Sequence, residues 1–226
     1  PRESKAIVCL AAKEIDEAKK TLEKIQKNLS NEYAVTDKNV KISMNQADAA
    51  STVQMLDEAS TRKAVLFVNV MPNGVQTMSA DVEGLVETSL NLGVLKLDHQ
   101  EMVLSYAVRS SIGSAKEALL DKLSYVTEVL GGNVEISGDY PAWEYKRESA
   151  FRDKIAAVYE QMYQKPPVIE AIHAGLECGL LAGKLPGLDC ISIGPDMENV
   201  HTTEEKLSIS STKRVWEFLL KVLSSK

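Results

Sequence analysis

Beyond about residue 150, helical and strand-like segments alternate along the chain. The short apolar segments VIEAIH (168–173) and LDCISIG (188–194) read as strands, and helical segments precede, separate and follow them. Strands that are apolar on both faces are typical of a parallel sheet covered by helices. Two strands do not make a stable sheet by themselves. We therefore expect the rest of this sheet to come from other sequence, and the opening PRESKAIVCLAAK, which lacks Met, also suggests a fragment of a longer protein.

The region before this has a different layout. A helix-period apolar stripe runs over 15–29, and a second stripe lies near 119–130. Two long strands reverse near LDHQ within 84–111, which predicts a hairpin. Further elements are expected at 6–11 (strand), 39–44 (strand), 47–70 (mostly helix) and 133–140 (strand). This order predicts a ferredoxin-like α+β domain over 1–138, with helices on one face of an antiparallel sheet, followed by an α/β segment over 139–226.

Charge and composition exclude several classes of partner. The net charge is −6 and no basic patch stands out, so the sequence argues against a nucleic-acid or anionic-membrane surface. It contains no apolar run long enough to cross a bilayer, and we expect a cytoplasmic protein. The three cysteines are widely spaced and lack a C-x-x-C pair, which argues against a disulfide framework and a thiolate zinc knuckle.

The stretch IEAIHAGLECGLLAG (169–183) concentrates reactive residue types at a predicted strand-to-helix turn. Ligands gather at such turns in open α/β sheets, where Gly175 would allow a close approach to free backbone N–H groups. Glu177 would favour a nearby cation or hold another side chain in place. The alternative is structural: His173 satisfies a buried hydrogen bond, Gly175 serves the turn and Glu177 caps the helix. Cys178, one position inside an apolar helix, is better explained as a core residue than as a nucleophile.

Three other residues are candidates from their positions. His201 lies in an acidic, hydroxyl-rich loop after a predicted strand, which suits a metal ligand, although one ligand is not a site. Arg109 follows an apolar strand and is either a solvated strand end or a clamp for a ligand carboxylate. His99, in the LDHQ turn, is expected to be solvated.

Several motifs resemble those of the Xaa-His dipeptidases, which are aminoacyl-histidine dipeptidases of the two-zinc exopeptidase superfamily. They are NGVQTMSADVEGLVETSLNLGVL, VRSSIGSAKE, GDYPAWE and IEAIHAGLECGLLAG, then SIGP with His201 a few residues later. The resemblance covers essentially the whole chain but only the carboxyl-terminal half of such an enzyme. It implies a lid domain that lacks its start over 1–138, and the last segment of the catalytic domain over 139–226.

The resemblance also implies roles for individual residues. His201 matches a zinc ligand, Arg109 matches a lid arginine that holds the carboxylate of the dipeptide substrate, and Gly175 matches a glycine that contacts substrate through its backbone. Glu177 lies in the same motif and is implied to support the site rather than to touch the metal. After the histidine the family commonly has Ser-Pro-Asp/Glu, whereas Thr202-Thr203-Glu204 stands here and keeps a hydroxyl and an acid.

The remaining family motifs, which supply the other ligands of two zinc ions and the general base, are implied to lie before residue 1. The chain alone is therefore expected to have no peptidase activity and to bind zinc weakly or not at all. The resemblance also implies homodimerisation through the lid. A different class stays open, in which residues 1–138 form a non-catalytic ferredoxin-like module that dimerises or binds a ligand.

Overall fold

The structure, a computed structural model, describes residues 2–47, 54–172 and 176–225. A short 3-10 turn at Ala12–Glu14 precedes the first helix. The helices are α1 (Ile15–Glu32), α2 (Glu58–Val70), α3 (Gly113–Val129), α4 (Ala150–Tyr163), α5 (Glu177–Lys184) and α6 (Ile209–Ser224). The strands are β1 (Gly74–Met78), β2 (Val86–Leu97), β3 (Met102–Ser110), β4 (Met197–Glu198) and β5 (Lys206–Leu207). None of the helices in the described ranges combines the length and apolarity needed to cross a membrane.

The chain divides into two compact units. One comprises Pro1–Ala64 and Val94–Val103, and the other comprises Val65–Gly93 and Leu104–Lys226. In the first unit, α1 forms where the apolar stripe predicted it. Gln26 on α1 holds the following segment through its side-chain amide, which donates to the Val40 carbonyl at 3.0 Å and accepts from the Ile42 N–H at 2.6 Å. The polypeptide after α1 is therefore attached to the helix by a side chain.

The larger sheet has the strand order β1-β2-β3. β1 and β2 are antiparallel, with Gly74 opposite Leu90 and two irregularities farther along. β2 and β3 form the predicted hairpin, whose turn is closed by the Asp98 carboxylate accepting from the N–H groups of Gln100 and Glu101 at 2.7 and 3.0 Å. These two hydrogen bonds hold the pKa of Asp98 below its usual range. His99 is exposed in this turn, as predicted.

One face of the sheet packs against α3 in the second unit. Leu90 is 2% exposed and packs with Met71, Leu119 and Leu123. Along β3 the side chains alternate between half-buried and exposed positions, and the half-buried Leu104 packs on this core. Alternation with period two places consecutive residues of a strand on opposite faces. β3 therefore presents one face to α3 and leaves the other open.

A second core joins α4 and α6. Its buried members are Ile155, Val158, Phe218 and Val222. Both helices begin at a serine whose hydroxyl accepts a backbone N–H: Ser149 from Arg152 at 3.0 Å, and Ser208 from Ser211 at 3.2 Å. The ring of Phe218 meets that of Tyr159 edge-on, with centroids 5.6 Å apart.

Several predicted strands do not form. The segments 6–11, 39–44, 133–140, 168–172 and 188–194 are described by the structure and have no β ladder, and residue 173 lies outside the described residues. A ladder requires a neighbouring strand with free N–H and C=O groups, whereas the apolar pattern reports only which side chains tend to be buried. Apolar side chains in these segments stay exposed, as for Ile7 at 58% and Val168 at 83%.

The fold class is therefore confirmed only in its coarser form. The chain is a mixed structure with a small antiparallel sheet, and the ferredoxin-like arrangement of residues 1–138 is not confirmed. Helix α2 begins at Glu58, so the prediction of helix from residue 47 was too long among the residues described. The boundary between 138 and 139 stays a prediction.

Candidate functional site

His201 lies at the tip of a small hairpin, where the sequence predicts only a loop. Met197 pairs with Leu207 and Glu198 with Lys206, so β4 and β5 present residues 199–205 as a compact turn. His201 has a φ of 66°, in the left-handed region that costs a non-glycine residue roughly 1 kcal/mol. Its backbone N–H donates to the Glu205 carboxylate at 2.8 Å, which holds this conformation. His201 is exposed, and the hydrogen bond to Glu205 holds its backbone in place.

The base of this hairpin is joined to the amino end of α6. The Asp196 N–H donates to the Ser211 hydroxyl at 2.8 Å, and the Ser208 N–H donates to the Asp196 carbonyl at 3.0 Å. Arg214 adds an ion pair to the Asp196 carboxylate at 3.2 Å. Ser211 is 3% exposed, so the first of these bonds is shielded from water. The position of His201 therefore depends on α6, which the second core fixes.

Glu177 is the first residue of α5 and is exposed. A carboxylate in the first turn interacts favourably with the positive end of the helix dipole. Its partners in the motif, His173 and Gly175, lie outside the described residues, so the predicted substrate-binding role of Gly175 is not tested. The structure therefore supports the predicted helix start but not the predicted contact with substrate.

Two glycines fix α5 against the preceding segment, and sequence reasoning did not identify them. Gly179 and Gly183 are one helical turn apart and both face Pro141. A Cβ atom at Gly179 would lie 2.9 Å from the Pro141 carbonyl oxygen and 3.5 Å from Trp143 Cβ, and one at Gly183 would lie 2.8 Å from Pro141 Cγ. The i, i+4 spacing of glycines in CGLLAG was the available signal. Only glycine permits this close approach.

Cys178 is half-buried at the start of α5. Burial, the neighbouring Cys190 thiol and Glu177 together raise the pKa of the Cys178 thiol. A nucleophilic cysteine needs the opposite shift, because the thiolate is the reactive form. This agrees with the interpretation of Cys178 as something other than a catalytic nucleophile.

Arg109 is the penultimate residue of β3 and is exposed. The neighbouring residue Val108 packs on the core beside α3, and consecutive residues of a strand lie on opposite faces of the sheet. Arg109 therefore lies on the open face. A guanidinium on that face can offer paired N–H donors to a carboxylate. The sequence predicted Arg109 just after the apolar strand, whereas the strand continues through Arg109 to Ser110, and the alternation adds which face the arginine is on.

The residues that the structure describes do not contain a cluster of three or more His, Cys, Asp or Glu side chains able to hold a metal ion. Within the described ranges, His201 is therefore a potential imidazole ligand that belongs to no such cluster. The roles predicted for Arg109, Glu177 and His201 remain predictions.

No protein-family model matches. The cytosol non-specific dipeptidase of Escherichia coli (strain K12) is 32% identical over 223 residues, which are 99% of this chain and 46% of that protein. The crystal structure of an aminoacylhistidine dipeptidase from Vibrio alginolyticus is 31% identical and superposes with a TM-score of 0.85, covering 95% of this chain and 43% of that one.

An aminopeptidase PepT from Bacillus cereus has a TM-score of 0.53 at 19% identity, over 72% of this chain and 44% of its own, and supports the fold alone. The chain spans about half the length of the curated relative it matches. Over nearly all of its length it has a dipeptidase as a homologue, and the resemblance to the aminoacyl-histidine dipeptidases that the motifs indicated is confirmed.

Proposed function

We propose that this chain is the carboxyl-terminal part of a zinc-dependent dipeptidase that hydrolyses short peptides of the Xaa-His type. The observation that carries the proposal is the similarity to the Vibrio enzyme, which has a TM-score of 0.85 over 95% of this chain. A free-standing ferredoxin-like binding module, the alternative, would not require the segment after residue 138 to match a dipeptidase as well.

His201 is the proposed metal ligand. A neutral imidazole is a preferred zinc ligand, and an exposed position on a turn fixed by Glu205 and α6 suits a ligand that must meet others from elsewhere. The chemistry supplied by bound zinc would be polarisation of the scissile carbonyl and activation of water. Glu205, which accepts from the His201 N–H, would keep the backbone of the ligand in place.

Arg109 is the proposed binding group for the substrate carboxylate. Its place on the open face of the sheet allows a bidentate pair with the carboxyl terminus of a dipeptide. Such a pair selects peptides that end at this point, because a longer peptide has no carboxylate there. Gly175 would add a backbone contact to substrate, and Glu177 would support the same turn.

We further propose that the chain alone is inactive and that a partner half-domain completes the catalytic sheet. By resemblance, the other zinc ligands and the general base come from that half. Apolar side chains in both predicted strands are exposed, with Val168 at 83% and Ile193 at 44%, and this supports the proposal because another element is expected to cover such side chains. Homodimerisation through the lid is supported by β3, which is an edge strand of the described sheet. The Escherichia coli relative is a cytosol dipeptidase, which supports a cytosolic location for this protein.

Two assays test the proposal. The purified chain, supplied with zinc and an Xaa-His dipeptide, should release no amino acids above the level of its His201→Ala variant. The complete protein that contains this chain should hydrolyse the same dipeptide, and Arg109→Lys should raise KM more than it lowers kcat because the bidentate geometry is lost. Equal KM values for both forms would remove Arg109 from the site, and no hydrolysis by the complete protein would remove the proposed function.

A further inference from the structure

Two cysteines outside the proposed dipeptidase chemistry lie next to each other. Cys178 is the second residue of α5, and Cys190 lies in the segment 188–194. The Cys190 Sγ donates to the Cys178 carbonyl oxygen at 3.9 Å, which places the two cysteines side by side. Both residues are half-buried, whereas the third cysteine, Cys9, is exposed. The pairing joins residues about a dozen positions apart and has no C-x-x-C signature.

Each of the two segments is fixed by the immediate neighbour of its cysteine. Gly179 seats α5 on Pro141, where even a Cβ would be 2.9 Å from the carbonyl oxygen. Asp189 fixes the other segment, because its carboxylate accepts from the Ser149 hydroxyl at 2.7 Å and from the Phe151 N–H at 3.1 Å. The thiols are thus held together by two independent sets of contacts, which raises their effective concentration toward each other.

We propose that Cys178 and Cys190 form a dithiol site that closes into an intrachain disulfide by exchange with a small-molecule disulfide. In the first step the thiolate of Cys190, and not that of Cys178 with its raised pKa, attacks a sulfur of the small disulfide, forms a mixed disulfide and releases one small thiolate. In the second step the other protein thiolate attacks the protein-side sulfur of the mixed disulfide and releases the second small thiolate. Two protein thiols lose two protons and two electrons, and the small disulfide is reduced to two thiols.

Closure would join the start of α5 to the segment that leads into the His201 hairpin. Disulfides in reducing compartments are typically transient and serve as redox sensors. A disulfide that closes a short loop between the start of α5 and the segment 188–194 suits a role as a redox sensor. The dithiol site itself does not depend on the proposed dipeptidase function, since it rests on the contacts of two cysteines that take no part in it.

The test uses the full chain with Cys9→Ser, which removes the exposed third thiol. The folded protein is incubated with oxidised glutathione at about pH 8, near the ordinary thiol pKa, and its intact mass is followed. We expect a product that has lost two hydrogens, with a peptide map that links Cys178 to Cys190. Added to the same background, Cys178→Ser and Cys190→Ser should each stop at one glutathione adduct. Closure should be about tenfold faster in the folded chain than in urea, because folding holds the thiols together.

Two separate adducts on the folded Cys9→Ser chain would overturn the proposal. Thiols that stay free until the chain is unfolded would also overturn it, as would closure that is no faster in the folded chain than in urea.

Discussion

Gly179→Ala tests the packing that fixes the amino end of α5. The added Cβ would lie 2.9 Å from the carbonyl oxygen of Pro141, which is a backbone atom that no rotamer change can move. Either α5 or the 141–143 segment must shift, and overpacking of this kind costs about 1–3 kcal/mol. Replacing a helical glycine by alanine returns up to about 1 kcal/mol of helix propensity. The net expectation is a destabilisation of about 1 kcal/mol.

Gly113→Ala is the matched control. Gly113 is also helical, as the first residue of α3, but a Cβ there would meet nothing within 4 Å. The control gains propensity without a clash and should be neutral or stabilising by a few tenths of a kcal/mol. Urea unfolding followed by circular dichroism should therefore rank Gly113→Ala above wild type and Gly179→Ala below it. A Gly179→Ala protein as stable as the Gly113→Ala protein would refute the close-packing argument.

Three further changes test the cores and the charged contacts. Phe218→Ala should lower the free energy of unfolding by about 3–5 kcal/mol because the ring is buried, whereas Trp216→Ala, on a residue 59% exposed, should change it by less than about 0.5 kcal/mol in the same urea titration. Lys116→Met removes an ion pair of 2.6 Å to Asp139 and should lower the thermal midpoint by a few degrees. The difference from wild type should be smaller in 1 M salt, because the Debye length there is roughly one third of its value at 0.1 M. The Ser149 hydroxyl and a backbone N–H hold the pKa of Asp189 below its usual range, so its contribution to stability is complete above the unfolded carboxyl pKa and is lost as pH falls through the folded pKa. Asp189→Asn should therefore reduce the loss of stability at acid pH. An unchanged loss of stability at acid pH, measured by unfolding at a series of pH values, would contradict this.

Helices were the part of the fold that the sequence predicted best. Periodic apolar stripes predicted α1 and α3, and helical segments were expected where α4 and α6 form. A helix can be predicted in this way because the spacing of its apolar residues shows which face is buried. Strands were predicted at apolar segments that form no ladder, because pairing depends on a neighbour that a single segment does not encode. The β4–β5 hairpin was missed for the opposite reason, since its paired strands are only two residues each.

In the candidate site, the sequence likewise indicated some residues and gave no sign of the contacts that hold them. Residue type and strand position were enough to select Arg109 and His201, and strand alternation then places Arg109 on the open face. The contacts that fix the surroundings, such as Pro141 against α5 and Ser211 against Asp196, join residues far apart in the chain. Sequence spacing alone does not report such pairs, because the fold brings them together.

The central claim is that His201 is a metal ligand of a dipeptidase, and the most direct measurement is kcat/KM for an Xaa-His dipeptide in the complete protein that contains this chain. His201→Ala should lower it by at least about 100-fold, since even residues that only support metal ligands typically matter by 10–100-fold. His99→Ala is the control, because that exposed histidine lies in the β2–β3 turn, and its kcat/KM should match wild type. A His201→Ala protein that keeps kcat/KM within a few-fold of the His99→Ala protein would contradict the account.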